Sequence, residues 1–160
     1  MIGRRRSAGF TLIELLVAAT IVAVLASTAL PLAELTVKRN KENELRAALR
    51  EIRGAIDAYK QAVDEGRVLK KADESGYPAS LEVLVAGVED ARSAKKHRIN
   101  FLRRVPRDPM HADPKTPAAE TWGRRSYESP YDAPREGKDV YDVYSLSGGL
   151  GMNGIAYRRW

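Results

Sequence analysis

From Leu15 to Ala33 the chain runs for 19 residues without a charge, mostly in Leu, Val, Ile and Ala, and this run limits what its N-terminal part can be. At 1.5 Å per residue a helix over it is roughly 29 Å long, close to the hydrocarbon thickness of a bilayer. Arg4, Arg5 and Arg6 precede it, an arrangement that keeps a segment's N-terminus on the cytoplasmic side. Between those arginines and the run sits Glu14, just after the apolar Phe10, Leu12 and Ile13. An acid there costs about 2.5–3.5 kcal/mol by insertion scales, so it marks a functional position in need of a partner. A secretory signal peptide has about 7–15 apolar residues before a small-residue cleavage site. This run is longer, and its acid comes first. A plain signal anchor accounts for the length but leaves Glu14 and the Gly9-Phe10 junction unexplained.

The heptapeptide Gly9-Phe10-Thr11-Leu12-Ile13-Glu14-Leu15 resembles the processing motif of type IV pilins and of their relatives, the type II secretion pseudopilins. The resemblance implies a leader of residues 1–9, removed by a prepilin peptidase that cuts between Gly9 and Phe10. It further implies a mature chain beginning at N-methylated Phe10. Gly9 lacks the side chain that a protease subsite pressing on the backbone would exclude. Pro31 matches a proline common in the family, and with Glu14 it is expected to act in assembly. In an assembled filament the Glu14 carboxylate would face the freed Phe10 amine of a neighbouring copy, with desolvation offsetting part of the attraction. The plainer alternative is a side chain that snorkels to the interface.

Charge and cysteine content exclude several function classes. The chain has 27 basic and 21 acidic residues, net +6, and loss of residues 1–9 would remove three arginines and leave +3. So mild a balance does not argue for a polyanion-binding protein. No cysteine is present, hence no disulfide and no thiol chemistry. Many type IV pilins close their C-terminal region with a disulfide, so its absence leans the resemblance towards pseudopilins. No nucleophile elbow, phosphate loop or His-Glu zinc motif occurs, and no enzyme is expected.

Beyond Ala33 apolar residues recur at Leu45, Ala48, Leu49, Ile52, Ala55, Ile56, Tyr59 and Val63, a three-and-four spacing that draws one stripe. The pattern predicts one helix from about Thr11 to about Asp64, roughly 80 Å if straight. Pro31 removes a backbone donor and should kink or locally melt it. Ser80-Leu81-Glu82-Val83-Leu84-Val85 reads as a short helix with Ser80 as N-cap. Residues 122–129 and 140–146 read as strands, with a last short strand at Ile155-Ala156-Tyr157. The expected fold class is α+β and pilin-like: a long N-terminal helix packed on a small antiparallel sheet. The expected organisation is a leader at 1–9, a transmembrane or filament-core helix at 10–33, its amphipathic continuation at 34–64, and a globular domain at 65–160.

The C-terminal part sharpens the resemblance. Phe101-Leu102-Arg103-Arg104-Val105-Pro106-Arg107-Asp108-Pro109-Met110, then Trp122-Gly123, then Tyr141-Asp142-Val143-Tyr144-Ser145 is similar in order to G-type major pseudopilins. That family binds calcium in the loop after the last of these segments. Here the loop, residues 146–154, holds no Asp or Glu, and a hard cation needs oxygen ligands and usually charge. Ser147 and Asn153 are its only side-chain candidates, and no cofactor is expected. His111 with Asp108 and Asp113 matches no metal-ligand spacing, and His97 stands apart. Seven cations between Arg92 and Arg107, with no acid among them, leave three readings: nucleic acid, the acidic face of the next subunit, or a solvated surface.

The function these expectations describe is a structural subunit of a type II secretion pseudopilus. It would be held in the inner membrane by a single pass, N-terminus cytoplasmic and C-terminal domain periplasmic. Polymerisation into a helical filament would drive protein export. Its partners would be further copies of itself, the prepilin peptidase, other pseudopilins and an inner-membrane assembly platform; nucleic acid is not among them. The alternative is a type IV pilin for adhesion, motility or DNA uptake.

Overall fold

A computed structural model describes residues 11–160, leaving aside the side chains of residues 28–31. Helix α1 spans Leu12–Asp64, 53 residues, within one residue of the expected start. The helix is assigned without a break through Pro31, so the expected local melting does not occur. A proline removes one donor from the ladder, and the bonds on either side suffice to carry the helix past it. The chain divides into two units, one running to Asn40 and the other spanning Lys41–Trp160.

Among the described residues of the first unit, α1 buries no apolar side chain. Leu12, Ile13, Leu16, Val22, Leu25, Leu32 and Val37 are all about half exposed or more. Thr20 and Thr36 return their hydroxyls to the carbonyls of Leu16 and Leu32, so those polar groups are satisfied inside the helix. This stretch is long and apolar enough to cross a membrane, and none of its apolar window is buried within the chain.

In the second unit the predicted stripe is the core. Leu45, Leu49, Ile52 and Ile56 are almost wholly buried and meet Leu81, Leu84, Leu102, Trp122, Val140, Val143 and Tyr157. Each fully buried aliphatic side chain contributes about 1.5–3 kcal/mol, which is why this part of α1 has its own partner. Helix α2 is Leu81–Ala86. Ser80 occupies its N-cap position, as expected, but its side chain makes no cap bond to the backbone. Gly87 ends α2 at φ 73°, its N–H on the Val83 carbonyl. A Cβ there would lie 2.8 Å from the Ile99 carbonyl oxygen, so only glycine fits.

The fold class is α+β, but the strands are shorter and differently grouped than expected. A hairpin of β1 (Val88–Glu89) and β2 (Arg98–Ile99) was not anticipated. Two-residue strands are too short to show alternation. Strands β3 (Trp122–Arg125) and β4 (Asp142–Ser145) pair antiparallel, Trp122 opposite Ser145 and Gly123 opposite Tyr144. Gly123 is required by that pairing, since a Cβ would sit 2.3 Å from the Tyr144 ring. The expected final strand is instead a single bridge, Leu150 with Ala156, followed by a 3-10 turn at Tyr157–Arg159. The result is two separate two-stranded sheets. Buried carboxylates, described below, fasten the segments that longer strands would otherwise hold.

Candidate functional site

Thr11 and Glu14 form a reciprocal cap at the head of α1. Glu14 Oε2 accepts from the Thr11 N–H at 3.0 Å and from the Thr11 hydroxyl at 2.9 Å. The Glu14 N–H donates to Thr11 Oγ1 at 3.3 Å. This is the Thr-x-x-Glu capping box, and it was legible in the sequence as Thr11-Leu12-Ile13-Glu14. It answers part of the question of how an acid stands at the head of an apolar helix: one carboxylate oxygen is satisfied by its own cap. Among the described residues nothing donates to Oε1, which leaves one acceptor without a donor. Gly9 and Phe10 lie outside the described residues, as does the side chain of Pro31, so their expected roles meet no geometry here.

In the second unit the groups that matter are four acids, Glu42, Asp108, Asp139 and Asp142, to none of which the sequence assigned a buried structural role. Glu42, on α1, is only 3% exposed. Its Oε1 accepts from the Met152 N–H at 2.8 Å and from the Tyr157 hydroxyl at 3.0 Å, tying the C-terminal loop to the helix. Burial, and then the bond to Glu42, push the Tyr157 phenol up from its ordinary range. Asp108 is buried, accepting from Ser145 Oγ at 2.6 Å and from the Met110 N–H at 2.7 Å, which fixes the proline-rich segment to β4. Asp139 receives the Ser75 hydroxyl, Ser126 Oγ at 2.8 Å and the Tyr127 N–H at 2.9 Å. Burial alone would raise its carboxyl, but those three donors outweigh it and hold it below the usual aspartate range. Asp142 binds Arg53 Nε at 2.8 Å, while Arg53 also donates to the carbonyls of Val143 and Trp160. Asp139 and Asp142 each adjoin a valine, but Glu42 lies between Lys41 and Asn43 and Asp108 between Arg107 and Pro109, so local sequence does not say which acids turn inward.

The loop of residues 146–154 takes its shape from these bonds. Ser147 Oγ accepts from the Gly149 N–H at 3.3 Å, and Asn153 Oδ1 from the Ile155 N–H at 3.0 Å. The side-chain oxygens of Ser147 and Asn153, the loop's only side-chain calcium candidates, thus each accept from the loop's own backbone. Among the described residues no three His, Asp or Glu side chains converge as a metal site. His111 reaches Thr116 at 3.3 Å, and Asp113 turns to Lys115 and Thr116. The basic run is dispersed. Arg98 and Arg107 donate to carbonyls of Gly87 and of Thr116 and Asp113, while Arg92, Lys95, Lys96, Arg103 and Arg104 are exposed.

Residues 4–30 match the family described as the prokaryotic N-terminal methylation motif. The chain is also 35% identical over 118 residues to the type II secretion system core protein G of Klebsiella pneumoniae, across 68% of this chain and 73% of the relative. The chain belongs to the G-type pseudopilin family. No solved structure matches it. A pseudopilin is a structural subunit rather than an enzyme. The exposed apolar half of α1 is the pilin-type N-terminal helix of this pseudopilin, with the Thr11–Glu14 cap at its head.

Proposed function

We propose that this pseudopilin is cut by a prepilin peptidase between Gly9 and Phe10, N-methylated at Phe10, and polymerised into a pseudopilus that drives protein export across the outer membrane. Before assembly α1 crosses the inner membrane once, N-terminus cytoplasmic and residues 41–160 in the periplasm. Other pseudopilins and an inner-membrane platform receive it. Similarity to a type II secretion core protein supports the secretion role over a pilus role.

The observation that carries the reading is the unspent oxygen of Glu14 at the head of an apolar helix that buries nothing in its own chain. One carboxylate oxygen holds the helix cap, and the other is free to take the methylated Phe10 amine of a neighbour. In low dielectric that pair favours one axial stagger between copies. Pro31 sets the course of the same helix at its far end. The C-terminal loop keeps its shape without a metal, because Glu42 supplies the charge the loop lacks.

Mass spectrometry of the protein from its own host reads the first claim: a mature chain starting at N-methyl-Phe10 is expected, and retention of residues 1–9 would refute it. Glu14→Ala is expected to be processed normally and to fail in filament incorporation. Normal incorporation of that variant would remove the assembly role.

A further inference from the structure

The exposed face of α1 between residues 44 and 58 largely segregates its charges; Asp57 alone stands among the arginines, four residues after Arg53, and forms no ion pair among the described residues. Arg46, Arg50 and Arg53 recur at four and three residues along one edge, where like charges are unfavourable neighbours. Glu44 and Glu51, a heptad apart, lie along the other edge, with Ala48 and Ala55 four residues on rather than cations. Neither glutamate makes an ion pair or side-chain hydrogen bond among the described residues. One turn beyond, by contrast, Lys60 and Asp64 form the ordinary four-residue pair.

The arginine edge continues into a cleft of about 540 Å³, whose walls carry four arginines (Arg53, Arg125, Arg158 and Arg159) against two acids, Asp132 and Asp142, beside Trp160. An adjoining hollow brings Arg46 and Arg50 to the same Arg159 and Trp160. Asp142 pairs with both Arg53 and Arg125, and Arg46 stacks on the Trp160 ring at 4.3 Å. Arg50, Arg158 and Arg159 have no acid, carbonyl or ring partner among the described residues. The site therefore presents three unspent guanidinium groups in a concave, aromatic-walled surface, suited to bidentate capture of carboxylates.

Between the two edges the helix is low. Ala47, Gly54 and Ala58 are exposed, and a Cβ added at Gly54 would meet nothing within 4 Å. Glycine there costs a helix about 1 kcal/mol relative to alanine, and nothing within the chain requires it. A neighbour approaching Glu44 and Glu51 would meet backbone height rather than side chains.

We propose that the cleft of Arg50, Arg158 and Arg159 on one copy receives Glu44 and Glu51 of the next copy, a head-to-tail contact that repeats along the filament. Repeated along the filament the contact is heterologous, each copy giving its acidic edge to one neighbour and its arginine cleft to the other. Its occupant is a second copy of this chain because the acidic edge complementary to the cleft is carried by the chain itself. The inference rests on the filament reading above.

The test is a charge swap in the full chain, in its own host. Arg158→Glu with Arg159→Glu, and separately Glu44→Arg with Glu51→Arg, should each lower filament yield by about tenfold. All four changes together should restore it to near the starting level. All four side chains are exposed, so the unassembled variants should keep the parent's melting temperature. In this cysteine-free chain, Glu51→Cys with Arg159→Cys should give a ladder of crosslinked multimers with a short bis-maleimide, and neither single cysteine variant should. Swap variants that polymerise like the parent overturn the proposal. So do single swaps that fail without rescue in the combination, the outcome expected if the arginines bind a different acidic partner. A parent chain that forms no filament overturns the subunit reading itself, an outcome distinguishable from the other two.

Discussion

Helix α1 is one secondary structure with two opposite solutions to the same problem. Up to Val37 the apolar side chains among its described residues are exposed on every side, and polar groups such as Thr20 and Thr36 are satisfied inside the helix itself. From Lys41 onward its apolar residues form a single stripe, and its own domain covers them. Helix propensity does not distinguish the halves; partner surface does. An all-round apolar helix needs an apolar surrounding from outside the chain, whereas an amphipathic one is completed by tertiary packing. Function follows the same division. In the proposed function the first half would meet membrane and identical helices, while the second holds what keeps the domain folded and presents charge.

The sharpest way to break this contrast is truncation on each side of it. Leu45→Ala or Ile52→Ala should destabilise the domain by about 2–5 kcal/mol, since each leaves a cavity among fully buried neighbours. Leu16→Ala, in the exposed half, should leave the same melting transition within about 0.5 kcal/mol. Thermal melts of the full chain in detergent read both. Equal losses in the two halves would end the distinction.

Glu42→Gln keeps the shape but weakens the acceptor for Met152 and Tyr157, and is expected to cost about 1–3 kcal/mol. Calcium should raise the melting temperature of neither parent nor variant. A calcium-dependent rise in the parent would return the loop to metal control. This experiment asks whether the second half of α1 supplies the loop's charge, as its geometry indicates.

Acid provides a third probe. The Asp139 carboxyl is held below its ordinary value, so it contributes stability above about pH 4, the unfolded titration range. That contribution disappears as pH falls through the lower folded value. Asp139→Asn should therefore flatten the acid limb of the stability profile. An acid limb unchanged in Asp139→Asn would assign the effect elsewhere. The smallest expected change is Gly54→Ala, which should stabilise the unassembled chain by about 0.5–1 kcal/mol in the same melts, because the position is exposed helix with open space around it.

The sequence made the membrane-length run, the Gly9-to-Leu15 motif, the extent of α1 and its buried stripe legible, because each is a local or periodic pattern. The strand pair of 122–125 with 142–145 was visible for the same reason, through its aromatic and β-branched residues. The hairpin of Val88–Glu89 with Arg98–Ile99 was not, since two residues carry no period. The final strand expected at 155–157 became a bridge and a 3-10 turn, because Glu42 and its two donors hold that segment from the helix side.

What the amino-acid order settled unaided was the long helix, its change of character near residue 40, and the family motif at its head. All of these arise from neighbours within one or two turns. Only the tertiary structure decided which acids turn inward, that Ser147 and Asn153 spend their oxygens on backbone amides, and that arginines more than a hundred residues apart line one cleft. Such pairings depend on how distant segments meet, and a side chain's partner across that distance leaves no period in the sequence.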